Sequence, residues 1–112
     1  MVIERERCGT TDLIRLSGRL DAVTSSRFEA EIEARVEDES NGIVVDFSNV
    51  EYISSAGLRA LLLGVRACAR KARPFVLAAA TADVRDVIVL TGFDKVLTLD
   101  VSVESALRRV SP

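Results

Sequence analysis

The alternation of apolar and polar positions along the chain predicts strands and helices in turn. Five segments have the alternating or nearly continuous apolar pattern that is typical of strands: residues 2–8, Leu13–Leu16, Ile43–Phe47, Phe75–Ala78 and Val96–Leu99. The first two are separated by the turn residues Gly9–Asp12, so we expect them to form a hairpin. The third and fourth are almost entirely apolar, which indicates strands that are covered on both faces.

Between the strands, apolar residues recur every three or four positions, which is the spacing of one face of a helix. Four helices are predicted, with these apolar positions on their buried faces: Phe28, Ile32 and Val36; Leu58, Leu61, Leu62, Val65 and Ala69; Val84, Val87 and Ile88; Leu107 and Val110. Their candidate N-caps are, in order, Thr24 or Ser25, Ser54, Thr81 and Ser102. Glu31 and Arg35 lie one turn apart, and we expect them to pair on the outer face of the first helix.

The predicted helix ends complete the order of elements. The first helix is expected to end at residues 40–42, and the second at residues 71–74, because Pro74 cannot continue it. Gly92 suits the position just after the third helix. The order β-β-α-β-α-β-α-β-α predicts a single α/β domain over residues 1–112. Its mostly parallel sheet should have about five strands with right-handed crossovers and about four helices, and the first strand should be antiparallel at an edge.

Two polar stretches are predicted as loops, and a pair of serines follows the second. Gly18–Asp21 comes after the second strand, and residues 48–51 come after the third. Ser54 and Ser55 then stand where a helix begins and where backbone N–H groups lack intrahelical partners. We expect Ser54 to be the N-cap, bonded to the N–H of residue 56 or 57, and Ser55 to be the first helical residue, with a solvent-facing hydroxyl.

A phosphate on Ser55 would meet free N–H groups and the positive end of the helix dipole. From the local pattern alone, two capping serines with no further role are the simpler interpretation.

Composition excludes several functional classes. The 112 residues carry a net charge of −2, which gives no reason to expect nucleic acid, and no apolar run approaches the length of a membrane span. The chain has no histidine, which removes His-based triads, His phosphotransfer and the commonest metal ligand. Cys8 and Cys68 form no C-x-x-C pair and indicate no oxidising compartment. Residues 1–7 do not resemble a signal peptide, so a cytoplasmic protein is expected.

Two kinds of chemistry at specific residues can be weighed against the sequence. A nucleophile elbow requires glycine two residues before Ser55, where Ile53 stands, and a His base is missing. Neither Lys71 nor Lys95 has a spacing that recommends a Ser–Lys pair, and no phosphate-binding glycine loop occurs. Asp46, near the end of a buried strand, is placed like the acceptor of a receiver domain. The first strand ends in Arg7, Cys8 and Gly9, however, without the acidic pair that would hold a metal, and the alternative is a strand end that hydrogen-bonds nearby backbone.

Four segments taken jointly resemble the STAS domain, and more narrowly the anti-sigma factor antagonists: Ser17–Asp21, Val44–Ser48, Tyr52–Arg59 and Thr91–Phe93. The similarity runs over nearly the whole chain. In that family the phosphorylated serine lies two residues before the glycine of a D-S-x-G-L pattern, which implies Ser55 here. Ser54 replaces the usual aspartate and becomes an alternative acceptor. The residues implied in partner binding are Asp21, Ser54, Ser55, Gly57 and Arg59.

The resemblance implies a switch rather than an enzyme. The unphosphorylated protein would bind an anti-sigma factor that is also a serine kinase and so free the sigma factor. The phosphorylated protein would let go, and a serine phosphatase would reset it. ATP and its metal would belong to the partner, so this chain needs no cofactor, nucleic acid or membrane and is expected to be a monomer or weak dimer. The alternative is an unphosphorylated STAS scaffold or a subunit of a transport or signalling complex.

Overall fold

The computed structural model describes residues 1–37 and 42–111 and confirms the predicted order of elements. In chain order these are β1 (Val2–Cys8), β2 (Thr11–Leu20), α1 (Ser25–Glu37), β3 (Gly42–Ile53), α2 (Ser55–Arg70), β4 (Phe75–Ala78), α3 (Ala82–Leu90), a 3₁₀ turn (Phe93–Lys95), β5 (Thr98–Asp100) and α4 (Val103–Val110). The predicted end of α1 at Ser40 and Asn41 lies outside the described residues. Gly42 already belongs to β3.

The five strands form one mixed sheet in the order β1-β2-β3-β4-β5. β1 is antiparallel to β2 at one edge, and the remaining neighbours are parallel, as predicted. The connections β2–α1–β3, β3–α2–β4 and β4–α3–β5 each lead to the next strand in the same direction across the sheet. Because such crossovers share one hand, α1, α2 and α3 lie on the same face of the sheet. The main core lies there, where Phe28, Leu61 and Ile88 from the three helices are fully buried in one cluster.

The opposite face of the sheet has a smaller core under α4. Leu13, Val44 and Val76 from the sheet form a cluster with Ala106 and Val110 of that helix. The short β5 leads directly into α4, which folds back across β3 and β4. The sheet therefore has helices on both faces, but they are unequally divided.

β2 and β3 are longer than predicted. Gly18–Leu20 and residues 48–51, expected as loops, continue the two strands instead, and β3 runs on to Ile53 in parallel pairing with β2. β4 ends at Ala78, opposite Asp46, and β1 pairs with β2 only as far as Ser17, so beyond these points β2 and β3 form a two-stranded ribbon. Burial of Val50 and Ile53 on one face holds this ribbon to the core while its polar residues stay exposed. Pairing and burial outweigh the polar composition that favoured loops.

Smaller differences occur at the other strand ends. Thr11 and Asp12, expected in the turn, already belong to β2. β5 begins two residues later than predicted, because the chain first makes the 3₁₀ turn at Phe93–Lys95. Gly92 has a φ of 79° and occupies the position after α3 that was predicted for it.

The buried face of α2 is rotated slightly from the predicted one. Leu58 and Leu61 are buried as expected, whereas Ala69 is exposed. The face runs instead through Gly64 and Cys68, because the missing side chain at Gly64 lets Phe75 pack against the helix: a Cβ there would lie 2.8 Å from Cε2 of that ring. Burial raises the pKa of the Cys68 thiol to about 11.

The ion pair of α1 forms, but not on the outer face. Nε of Arg35 lies 3.5 Å from Oε1 of Glu31, and Nε of Arg5 in β1 lies 3.0 Å from the same atom. The Glu31 side chain is only 14% exposed, so this carboxylate connects the helix to the edge strand.

Candidate functional site

The site predicted from the sequence lies where the β2–β3 ribbon meets the start of α2. The N–H of Ser54, the residue after β3, donates to the carbonyl of Leu20 at the end of β2, at 3.0 Å. α2 then begins at Ser55. The extension of both strands therefore carries the helix start beyond the end of β4.

Ser54 is the N-cap of α2, as predicted. Its backbone is extended, with φ −96° and ψ 176°, and its Oγ accepts from the N–H of Gly57 at 3.2 Å. Its carbonyl accepts the first helical bond, from the N–H of Leu58 at 2.9 Å. Ser55 is the first helical residue and is exposed, whereas Ser54 is only partly exposed. The two adjacent hydroxyls therefore differ in environment: one is engaged with backbone and one faces solvent.

Gly57 acts by its lack of a side chain. It is buried, and a Cβ at this position would lie 2.7 Å from the Leu20 carbonyl oxygen and 2.9 Å from Cγ1 of Ile53. Such distances are far shorter than van der Waals contact, so only glycine lets the helix start approach the end of β2 this closely. Gly57 therefore determines how closely the start of α2 packs against the end of β2.

Asp21 organises the loop between β2 and α1. Its Oδ1 accepts from the backbone N–H groups of Val23 at 3.0 Å and Thr24 at 3.1 Å. Its own N–H donates to Oγ1 of Thr24 at 2.9 Å, and that hydroxyl donates to the carbonyl of Arg19 at 2.8 Å. The hydrogen bond from the Thr24 backbone is the main cause that lowers the pKa of Asp21.

Thr24 does directly precede α1, as one of the two predicted caps, but its side chain is used within this loop. Ser25, the other candidate, is the first residue of the helix and is buried.

Arg19 and Tyr52 were not predicted as site residues. They are paired across the ribbon, and the guanidinium carbon of Arg19 lies 4.1 Å from the centre of the Tyr52 ring. Nε of Arg19 is also 3.8 Å from Oδ2 of Asp21. A cation–π contact thus extends the site along the ribbon to the Asp21 loop. The pairing of β2 with β3 could have revealed this contact, but the sequence pattern predicts a loop at Arg19 and so no strand pairing there.

Arg59 is exposed and lies one helical turn after Ser55. Within residues 1–37 and 42–111 its guanidinium makes no ion pair. Asp46, the candidate receiver acceptor, accepts instead from the N–H of Ser48 at 2.9 Å, which is the structural role considered for it. Its other oxygen lies 4.0 Å from Nε of Arg15.

The structure brings the predicted residues together where the β2–β3 ribbon meets α2. Ser54, Ser55, Gly57 and Arg59 share the first turns of α2, and Asp21 is adjacent through Leu20. In the described parts of the chain, no group of three or more Cys, Asp and Glu side chains could hold a metal ion. Nor, among those residues, does any helix combine the length and apolar character needed to cross a bilayer.

Comparison with known proteins identifies the family of this chain. The family model described as Mlab, STAS domain, matches residues 3–100. The chain belongs to the STAS domain family. Within it, the chain is 32% identical over 91 residues to BtrV of Bordetella bronchiseptica, which is provisionally named as an anti-sigma factor antagonist. That match covers 81% of this chain and 78% of BtrV.

Solved STAS structures have the same fold. The crystal structure of an anti-sigma factor antagonist from Mycobacterium paratuberculosis is 30% identical, with a TM-score of 0.88 over 97% of this chain and 92% of that one. The phosphorylated form of SpoIIAA, a Bacillus cell fate determinant, is 23% identical, with a TM-score of 0.74 over 98% of this chain and 100% of SpoIIAA. The chain is thus a member of the anti-sigma factor antagonist group of STAS proteins.

Proposed function

We propose that this STAS protein is a phosphorylation-controlled anti-sigma factor antagonist, with Ser55 as the acceptor. The observation that carries the proposal is the division between the two serines: Ser54 is engaged as the N-cap, and Ser55 presents a free hydroxyl. Relatives named as anti-sigma factor antagonists, and a SpoIIAA solved in a phosphorylated form, support it. Ser54 is the alternative acceptor.

The partner is an anti-sigma factor with serine kinase activity. Bound to the unphosphorylated protein, it releases its sigma factor; after phosphate transfer to Ser55, the complex separates. A serine phosphatase restores the hydroxyl. The kinase supplies ATP and metal, so this chain acts as a regulated binding surface in the cytoplasm and not as an enzyme.

Electrostatics explains how one phosphate could end binding. It adds about −1.5 to −2 charges at one point of the contact surface. Like charges or apolar groups of a partner facing that point would then cost affinity through repulsion and desolvation. The N-terminus of α2 itself accommodates the anion, because its N–H groups and dipole favour negative charge.

The test compares affinity for the purified anti-sigma partner among four forms: wild type, Ser55→Ala, Ser55→Asp and the phosphoprotein. Ser55→Ala should bind like wild type but accept no phosphate. Ser55→Asp should bind more weakly, and the phosphoprotein most weakly, because phosphate carries more charge than aspartate. Ser111→Asp is the matched control, since Ser111 is also exposed but follows the far end of α4.

Site mapping by mass spectrometry decides between the serines. Phosphate on Ser54 would transfer the acceptor role to that residue. If no partner kinase phosphorylates either serine, the proposed switch is wrong and the chain is a STAS scaffold.

A further inference from the structure

The loop beside the phosphorylation site holds an aliphatic side chain in solvent. Val23 is 82% exposed, although it stands in the middle of the β2–α1 loop, among ordered hydrogen bonds. An apolar side chain on a mobile loop would be unremarkable. Here its own N–H and that of Thr24 are both bound by the Asp21 carboxylate, so the backbone that displays it is fixed.

We propose that Val23 is an anchor residue, which inserts into an apolar pocket of the protein partner that engages Ser55. This inference rests on the proposed function and adds a second contact to it. The partner is identified by the continuity of the surface. The loop follows Leu20, whose carbonyl is bonded to Ser54, so a protein that covers Ser55 also meets the loop. A preordered loop lowers the entropic cost of binding.

The side chains next to the Val23 loop indicate which groups should surround the apolar pocket of the partner. Arg19 is stacked on Tyr52, and both remain exposed. Arginine and tyrosine are among the residue types that most often dominate binding energy at protein interfaces. Nε of Arg19 lies 3.8 Å from the Asp21 carboxylate, which is longer than a hydrogen bond. The Arg19 guanidinium can therefore also bind a carboxylate of the partner. The pocket that receives Val23 should therefore be apolar with an acidic group at its edge.

The first experiment measures affinity of the unphosphorylated protein for the anti-sigma kinase by calorimetry. Val23→Ala should weaken binding about tenfold, because two buried carbons are lost. Val23→Thr, which keeps the shape but adds a hydroxyl, should also weaken it. The matched control is Leu90→Ala: Leu90 is 84% exposed but lies at the end of α3. Equal affinity of Val23→Ala and wild type would overturn the proposal, and so would an equal loss in the control.

The second experiment tests whether Asp21 positions the loop that displays Val23. Asp21→Asn keeps an acceptor oxygen for the amides of Val23 and Thr24, whereas Asp21→Ala removes it. Hydrogen exchange at these two amides should be slow in wild type and in Asp21→Asn and fast in Asp21→Ala. Partner affinity should follow the same order. If Asp21→Asn binds as weakly as Asp21→Ala while its amides stay protected, Asp21 acts by its charge and the loop-positioning role is wrong.

Failure of this inference can be told apart from failure of the proposed function. If wild type binds no anti-sigma kinase, the switch itself is wrong. If wild type binds and phosphorylation at Ser55 releases it, but the Val23 variants bind normally, only the anchor is wrong.

Discussion

Ser54 and Ser55 differ chemically because the Ser54 hydroxyl caps the N-terminus of α2 and the Ser55 hydroxyl does not. Removing the Ser54 hydroxyl frees the N–H of Gly57, so Ser54→Ala should lower the free energy of unfolding by about 1 kcal/mol. Ser54→Asp should keep most of the stability, since aspartate caps helices about equally well. Ser55→Ala should change it by less than about 0.5 kcal/mol. Urea denaturation of the three variants tests this, and an equal cost for Ser55→Ala would contradict the assignment.

We expect Arg59 to pair with a phosphate on Ser55. Residues i and i+4 are neighbours on a helix surface, and a guanidinium near the phosphate favours its dianion. The second pKa of phosphoserine, ordinarily about 6, should therefore rise in Arg59→Ala. Phosphorus NMR titration measures it. Arg66→Ala is the control, because Arg66 is eleven residues from Ser55, roughly 16 Å along the helix and beyond the screening length. An unchanged pKa in Arg59→Ala would exclude the pairing.

The serines and Asp21 could be located from the sequence, because capping and a family motif depend on local order along the chain. Val23 and the Arg19–Tyr52 contact could not. Arg19 and Tyr52 are 33 positions apart and become neighbours only through the pairing of β2 with β3. The exposure of Val23 follows from the turn around Asp21, which the local pattern did not define.

At the scale of elements, the helix–ribbon junction depends on close backbone approach. Gly57→Ala puts a Cβ 2.7 Å from a backbone oxygen, which cannot move away without shifting β2. It should therefore destabilise by about 1–3 kcal/mol, even though alanine is the better helix former by about 1 kcal/mol.

Gly64→Ala is the matched comparison, in the same helix. There the close atoms belong to the buried Phe75 ring and not to backbone, so the cost should be smaller. Thermal and urea unfolding of both variants give the comparison. A Gly57→Ala protein as stable as Gly64→Ala would show that the junction can relax.

The type and order of the strands and helices could be predicted from periodicity, since β2, β3, β4 and the four helices each bury apolar residues, and β1 alternates apolar and charged positions. The far ends of β2 and β3 could not be predicted, because Ser48, Asn49 and Glu51 are polar and Gly18 favours a turn. Only every second or third position there, such as Val50 and Ile53, is buried. In a ribbon of two strands one face is open to solvent, so composition alone resembles that of a loop. That ribbon is also what carries the site.

At the scale of the whole molecule, the proposed acceptor lies outside both cores. The larger core is enclosed between the sheet and α1–α3, the smaller one lies under α4, and the Ser55 side chain belongs to neither. A charge added at this point therefore changes the surface without removing a packing contact. The proposed switch should work by altering what a partner meets and not by unfolding this chain.

That mechanism predicts the stability of the phosphoprotein. An anion at a helix N-terminus contributes about 0.3–1 kcal/mol, so phosphorylation of Ser55 should leave the melting temperature equal or raise it by up to about 8 °C. Ser55→Asp should behave similarly with a smaller shift, and high salt should reduce both effects by screening. Differential scanning calorimetry of the two forms, alongside wild type, measures this. A clear fall in the melting temperature of the phosphoprotein, with loss of amide protection in α2, would mean that release depends on local unfolding. The charge at the contact surface would then not be its cause.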